Sequence, residues 1–365
     1  MIDAPPTTRP AGTPPLSADR LTAGPIAQAI PPMRIAIVTD AWLPQTNGVV
    51  RTLTCLKREL ELLGHDVLMV TPQQFTTVPC PTYAEIRLAL VPGFELERIL
   101  TQAKPDSIHI VTEGPLGFSA RRYCLRHGLP FTTSFHTKFP EYVEARFGVP
   151  PRWTYELLRW FHAPATSVMV ATDSIRQELA DHGFTQLSRW TRGVDLAQFR
   201  PLAAKPATDW PRPIFSYVGR VAVEKNLPAF LDLDLPGTKL VVGDGPEREA
   251  LQRRYPDVRF VGRQEGEDLA NFYAMSDVFV FPSKTDTFGL VMLEALASGV
   301  PIAALPVPGP IDLIESSGVG VLDWDLRKAA LACLDIDPEA CRARALEFSW
   351  ATSAQQFLSN LHRFG

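Results

Sequence analysis

The chain has 365 residues, 45% hydrophobic and 21% charged, which is enough apolar material for substantial cores and enough length for two domains. A formal net charge of -4 argues against bulk electrostatic attraction to nucleic acid. The five cysteines (Cys55, Cys80, Cys124, Cys333, Cys341) are scattered and form no CxxC pair, so neither a disulfide framework nor a zinc site is indicated and a reducing compartment fits best.

Residues 1–32 are rich in Pro, Ala and Thr and lack the basic start and apolar stretch of a signal peptide; they read as a disordered tail. No run reaches the roughly 18 to 20 apolar residues of a spanning helix, so any membrane contact is expected to be peripheral. Ordered sequence begins at MRIAIVTD, Met33 to Asp40, a strand pattern for burial on both faces. After the loop AWLPQTNG comes a helical pattern with Leu53, Leu56, Leu60 and Leu63 on one face, stopped by Gly64. VLMVTP is the next strand, completing a βαβ unit. Strands at Ser107 to Glu113, Phe131 to Thr137 and Thr166 to Thr172 extend an α/β domain over residues 33–200. The proline-rich segment 201–213 reads as a linker. Alternation then restarts with IFSYVGR, TKLVVGDG, VRFVG, DVFVFPS and PIAAL, a second α/β domain over 214–345. Residues 346–365 hold an amphipathic helix with Phe348, Ala351, Phe357 and Leu361 as its apolar contributors, expected to pack back on the first domain. The expected fold class is α/β, two Rossmann-like domains facing each other across a ligand cleft.

The stretch FPSKTDTFGLVMLEALASG, Phe281 to Gly299, places Asp286 on a loop after a strand and Glu294 on the helix that follows, about two turns in. The start of that helix, with the amides of Gly289, Leu290 and Val291, is an anion site that a small glycine lets a phosphate approach. A nucleotide sugar offers a partner to each part: sugar hydroxyls, diphosphate and ribose. The plain alternative, Asp286 as an N-cap and Glu294 as a solvated helix residue, stands beside it on these residues alone. In YVGRVAVEKN, Arg220 and Lys225 sit on a loop after a strand and suit a diphosphate.

Together the motifs TDAWLPQTNGVVRTL, SFHTKFPEY, RGVDLAQF, VGRVAVEKN, VVGDGPE, VRFVG and TDTFGLVMLEALASG resemble retaining, sugar-nucleotide-dependent glycosyltransferases of the GT-B type, in family four. The acidic motif of that family usually begins with glutamate; Asp286 in its place resembles the branch of bacterial glycolipid mannosyltransferases and sulfoquinovosyltransferases. The resemblance implies that Glu294 binds the ribose hydroxyls, Asp286 the 3- and 4-hydroxyls of the donor sugar, and Arg220 and Lys225 the diphosphate. It implies that Gly48 lets backbone approach the donor phosphate, that His136 sits beside the donor sugar, and that Phe260 to Gly262 border the base. It implies front-face transfer with no metal, no cofactor beyond the donor and no protein nucleophile. The DxD triplets at Asp232, Asp323 and Asp335 are read as noise. VVGDGPER leaves a nicotinamide dehydrogenase as a distant alternative, because Arg248 occupies the third glycine position of that fingerprint.

Residues 138–164 interleave aromatics with cations: Lys138, Arg152, Trp153, Arg159 and Trp160, with Phe139, Tyr142, Arg146, Phe147, Tyr155 and Phe161 among them and Arg121, Arg122 and Arg126 as a possible extension. This composition fits a surface resting on anionic lipid headgroups; a core-packing helix pair with a solvated basic face is the plain alternative. The function expected is transfer of a hexose or hexuronic acid, from UDP-glucose or UDP-glucuronate, to a membrane lipid such as diacylglycerol at the cytoplasmic face of a membrane. A GDP-mannose-dependent α-mannosyltransferase is the second reading, and an inactive sugar-nucleotide-binding paralogue the non-enzymatic one.

Overall fold

Short runs of β-branched and aliphatic residues, each ended by a glycine or a polar turn, build two parallel sheets. The computed structural model describes residues 30–45, 47–80, 83–140, 144 and 148–364, without the side chains of residues 83–85. Most of the segment read as a tail, together with Tyr142, Arg146 and Phe147, lies outside the described residues.

In chain order the strands are β1 (Arg34–Val38), β2 (Asp66–Val70), β3 (Thr77–Cys80), β4 (Tyr83–Ala89), β5 (Ser107–Ile110), β6 (Thr132–Phe135), β7 (Ser167–Val170), β8 (Leu187–Arg189), β9 (Ile214–Val218), β10 (Thr238–Val242), β11 (Arg259–Gly262), β12 (Val278–Phe281), β13 (Ile302–Ala304) and β14 (Gly320–Leu322). The helices, numbered over the described residues, are α1 (Gly48–Leu62), α2 (Gly93–Ala103), α3 (Pro115–His127), α4 (Pro151–His162), α5 (Asp173–Asp181), α6 (Pro228–Leu231), α7 (Arg248–Arg254), α8 (Gly266–Met275), α9 (Leu290–Ala297), α10 (Pro310–Ile314), α11 (Leu326–Ala332), α12 (Pro338–Leu346) and α13 (Trp350–Asn360).

The sheets run β2-β1-β5-β6-β7-β8 and β11-β10-β9-β12-β13-β14, and β3 and β4 form a separate antiparallel hairpin. Strand order reverses between β1 and β5 and again between β9 and β12. In open α/β sheets such reversals leave a crevice beyond the carboxyl ends of the strands, and ligands bind there.

Two expectations about the helices need correction. Leu53, Leu56 and Leu60 are buried on α1, but Leu63 is its C-cap and is half exposed, because the helix ends before the pattern does. On α13 the buried face is Trp350, Ala354, Phe357 and Leu358; Ala351 is exposed, while Phe348 and Leu361 flank the helix. Ala354, Phe357 and Leu358 of that face join Met33, Ile35, Leu53 and Leu60 in one cluster, so the last helix is seated on the first sheet's α1. The linker segment 201–213 is held in place: the Asp277 carboxylate accepts from Lys205 Nζ (2.6 Å), Arg212 Nη1 (2.7 Å) and the Ile214 amide (2.7 Å), pinning it to the second sheet.

His109 on β5 is fully buried, with Nδ1 2.8 Å from Thr132 Oγ1 and Nε2 3.2 Å from Ser134 Oγ. Its ring meets Trp190 and Phe357 edge to face. Burial, aided by the positive charge of Arg192, pulls its pKa down to about 3. The unfolded chain binds a proton at this ring below its ordinary pKa of 6.5 and the native state refuses it. Stability is therefore present above that value and lost as pH falls toward the native pKa, by roughly 2 kcal/mol at about pH 5. Urea unfolding of wild type and His109→Gln near neutrality and near pH 5 tests this: the variant is expected to lose about 2 kcal/mol less on acidification, and an unchanged difference would contradict it.

Candidate active site

The second domain contributes two loops that leave neighbouring strands. Beyond β9 the chain passes Gly219 and Arg220 into a single 3-10 turn, Val223–Lys225, closed by Asn226 in the left-handed region. Beyond β12 it runs from Pro282 to Gly289. Lys225 Nζ donates to Asp286 Oδ1 at 2.6 Å, and Asn226 Nδ2 donates to the Pro282 carbonyl at 3.0 Å, so the two loops are stitched together. Asp286 is therefore neither a helix cap nor a solvated carboxylate. Its Oδ2 and the hydroxyl of Ser283 are buried without a hydrogen-bond partner among the described residues. Buried polar atoms left open in this way are rare in folded proteins and call for a ligand or ordered water.

Glu294 lies one turn into α9, nearer its start than the sequence reading placed it, and it is buried. Its Oε2 accepts from Tyr273 Oη at 2.8 Å, and its Oε1 is ion-paired at 2.9 Å with Arg51 Nη1, from α1 of the first domain. Burial raises its pKa, opposed by Arg51 and the Tyr273 hydrogen bond. Gly289 precedes α9 at φ +80°, where a Cβ would lie 2.8 Å from Met292 Cε and 3.2 Å from Phe281 Cζ, so glycine is required both for conformation and for space. The first-turn residues Leu290 and Val291 follow. A Cβ on Gly48, the first residue of α1, would lie 3.8 Å from Leu290 Cδ1. The amino ends of a helix from each domain thus meet at the cleft, and both favour negative charge.

From the first domain, His136 follows β6. Its carbonyl accepts from Thr287 Oγ1 at 2.8 Å, beside Asp286, and its Nδ1 faces Arg192 Nη2 at 3.2 Å. Burial, then the charge of Arg192, holds the imidazole well below its ordinary range. Gly262 sits on the same rim through backbone packing. Gly243 N donates to its carbonyl at 2.8 Å, and a Cβ on Gly243 would fall 1.9 Å from the Gly219 carbonyl oxygen. Phe260 turns its ring toward the core of the second domain. Neither Phe260 nor Gly262 makes a hydrogen bond to the Lys225–Asp286 pair among the described residues.

The proposed acceptor face divides. Lys138 is buried and paired with Glu178 at 2.7 Å, a carboxylate that also accepts from Tyr155 Oη, so its role is structural and it leaves that surface. Arg159 is exposed and pairs with Glu156 on its own helix. Arg152 lies over the Trp153 ring. Trp153, Leu157 and Trp160 are 63%, 49% and 53% exposed, an apolar stripe along α4 opposite its buried face of Tyr155, Leu158 and Phe161. Arg51, Tyr273, Arg192, Ser283 and Leu157 were not singled out in the sequence. Arg51 and Arg192 stand inside the quoted motifs, but only their cross-chain partners reveal what they do.

The family model for Glycosyltransferase Family 4 matches residues 46–198, and that for Glycosyl transferases group 1 matches residues 212–336. A GDP-mannose-dependent alpha-mannosyltransferase of Mycobacterium tuberculosis is 31% identical over 80% of this chain and 83% of its own. An alpha-monoglucosyldiacylglycerol synthase of Streptococcus pneumoniae is 28% identical over 91% and 85%. Among solved structures, sucrose-phosphate synthase from Thermosynechococcus elongatus superposes with a TM-score of 0.73 over 89% of this chain and 97% of that one, at 22% identity. The chain belongs to glycosyltransferase family 4, with the GT-B fold, and is a glycosyltransferase.

The Arg51–Glu294 pair crosses the seam between the domains, and removing one partner leaves the other without its counter-charge. Unfolding of Arg51→Ala, Glu294→Gln and the double variant is expected to give a coupling of about 1 to 3 kcal/mol. Strictly additive effects would mean that the pair contributes nothing to holding the seam.

Proposed function

We propose that the protein transfers a sugar from a nucleotide donor to a lipid acceptor at a membrane surface, with retention at the anomeric carbon and without a metal. The observation that carries the donor side is the Lys225–Asp286 pair at the meeting of two strand-end loops and two helix amino ends. Asp286 Oδ1 holds Lys225 while Oδ2 remains for a sugar hydroxyl. Arg220 and Lys225 then neutralise the departing nucleoside diphosphate. UDP-glucose or UDP-glucuronate is one donor reading. GDP-mannose is the other, favoured by the name of the 31% identical relative.

The lipid reading is supported by the diacylglycerol-glucosylating relative and by the exposed face of α3 and α4. There a cavity of about 470 Å³ is lined by Phe118, Arg121, Arg122, Leu125, Arg126 and Trp160. Arg121 stacks 3.9 Å above the Trp160 ring and donates to the carbonyls of Trp160 and Phe161, which fixes one cation in the wall. Arginines beside half-exposed tryptophans suit an anionic interface with an apolar layer beneath. Among the described residues no helix is long and apolar enough to cross a membrane.

Mass spectrometry of lipids after incubation with diacylglycerol vesicles and, in turn, UDP-glucose, UDP-glucuronate and GDP-mannose tests the proposal. One donor is expected to yield a lipid carrying one added sugar, and donor hydrolysis without a lipid product would send the acceptor reading to a soluble or polysaccharide acceptor. In that assay Lys225→Ala is expected to lower turnover by ~100-fold, and a near-normal rate would remove Lys225 from the catalytic set. Sedimentation with anionic vesicles at low salt is expected to fall several-fold, about the effect of losing two interfacial tryptophans, in Trp153→Ala/Trp160→Ala; unchanged sedimentation would dismiss this face.

A further inference from the structure

His136 and Arg192 form a pair whose chemistry is more constrained than a generic contact. A guanidinium has only N–H groups to offer, so the ring nitrogen it faces, Nδ1, must present a lone pair. The imidazole is neutral, and its single ring proton therefore sits on Nε2. Nε2 is buried and has no hydrogen-bond partner among the described residues. Arg192 is itself buried and firmly held. Its Nη1 donates to the carbonyls of Trp190 (2.6 Å) and Thr191 (3.3 Å), its guanidinium lies 4.3 Å from the Trp190 ring centre, and none of these partners is a carboxylate. Burying an unpaired cation is costly.

The backbone carrying Arg192 is clamped by α13. Trp190 Nε1 donates to Ser353 Oγ, Ser353 Oγ donates to the Thr191 carbonyl, and Gln356 Oε1 accepts from the Thr191 amide at 2.9 Å. Gly193 follows where a Cβ would lie 2.3 Å from the Trp350 amide nitrogen. Among the described residues the buried charge and the rigid turn therefore serve one hydrogen-bonding side-chain partner, Nδ1 of His136.

We propose that Arg192 is a positioning residue that locks His136 as an Nε2–H donor for an oxygen of the bound sugar, so that His136 does not accept the proton released in transfer. The second half rests on the transferase reading. An oxygen lone pair of a hydroxyl, carboxylate or sulfonate satisfies such a donor, whereas a protonated amino group does not. As the bond from the anomeric carbon to the phosphate oxygen breaks and the bond to the acceptor oxygen forms, the acceptor's hydroxyl proton passes to the leaving phosphate.

The test is nitrogen NMR of the full chain labelled at histidine, with the His136 ring signals assigned by their loss in His136→Gln. Wild type is expected to show protonated Nε2 and bare Nδ1. Arg192→Met is expected to lose this fixed tautomer and to lower kcat roughly ten- to hundredfold, while affinity for UDP or GDP stays within about threefold. Arg192→Lys, which can still donate to Nδ1, is expected to restore the tautomer and part of kcat; if Arg192→Met does not fold, this variant and the wild-type spectrum decide. A proton on Nδ1 or a doubly protonated ring in wild type overturns the proposal, as do wild-type ring signals in folded Arg192→Met. The expected tautomer in a protein that transfers no sugar from any donor would overturn the transferase reading and the role in transfer, and leave the lock standing.

Discussion

A carboxylate buried in an apolar helix must be compensated, and the seam between the two domains is organised around one such group. Glu294 sits in LVMLEALA, where every residue after Val291 is buried. The cost of desolvating it is several kcal/mol unless counter-charge and hydrogen bonds are close. Tyr273 answers from the same domain and Arg51 from the other. Around that anchor lie further contacts across the seam, among them Gly48 against Leu290, Thr287 on the His136 carbonyl, and the Asp312 carboxylate accepting from the Ser174 amide at 2.9 Å and from its hydroxyl. If Glu294 takes ribose hydroxyls, as the family resemblance implies, nucleotide and Arg51 share the same carboxylate. Donor binding and the domain seam are then linked through one side chain.

The C-terminal helix reaches the cleft without entering it. By packing Ala354, Phe357 and Leu358 onto the first sheet's core, α13 fixes the end of β8 and the turn through Arg192. A residue at the chain's end thereby constrains a histidine after β6. The intermediates are a tryptophan ring, two backbone carbonyls and a guanidinium, each with little room to move in a close-packed interior.

Several patterns that compete for meaning in the sequence have ordinary structural employment. Asp325 and Asp337 cap α11 and α12, and Asp323 pairs with Lys328. Gly243 and Gly245 allow the strand-end loops to touch, since a Cβ on either would lie within 2.3 Å of a carbonyl oxygen of the β9 loop. The glycines of VVGDGP thus need no dinucleotide. The β3–β4 hairpin is not legible in the sequence because PCPTYAEIRLAL starts with prolines, which weaken a strand pattern. The three-residue strands β8 and β14 are too short for a periodicity to emerge.

What the sequence determined by itself was the alternation of strands and helices in each half, the placing of Asp286, Lys225 and His136 at strand ends, and the motifs that define the family. The alternation and the strand-end placements follow from residue periodicity and turn chemistry, which act within a few positions of the chain, and the family from the resemblance of its motifs. The tertiary structure alone decided which charges meet. Lys138 left the surface for Glu178, Glu294 was claimed by Arg51, and Arg192 turned to His136 instead of a carboxylate. Each of those outcomes depends on desolvation and partner distance between residues far apart in the chain, quantities that no local pattern encodes.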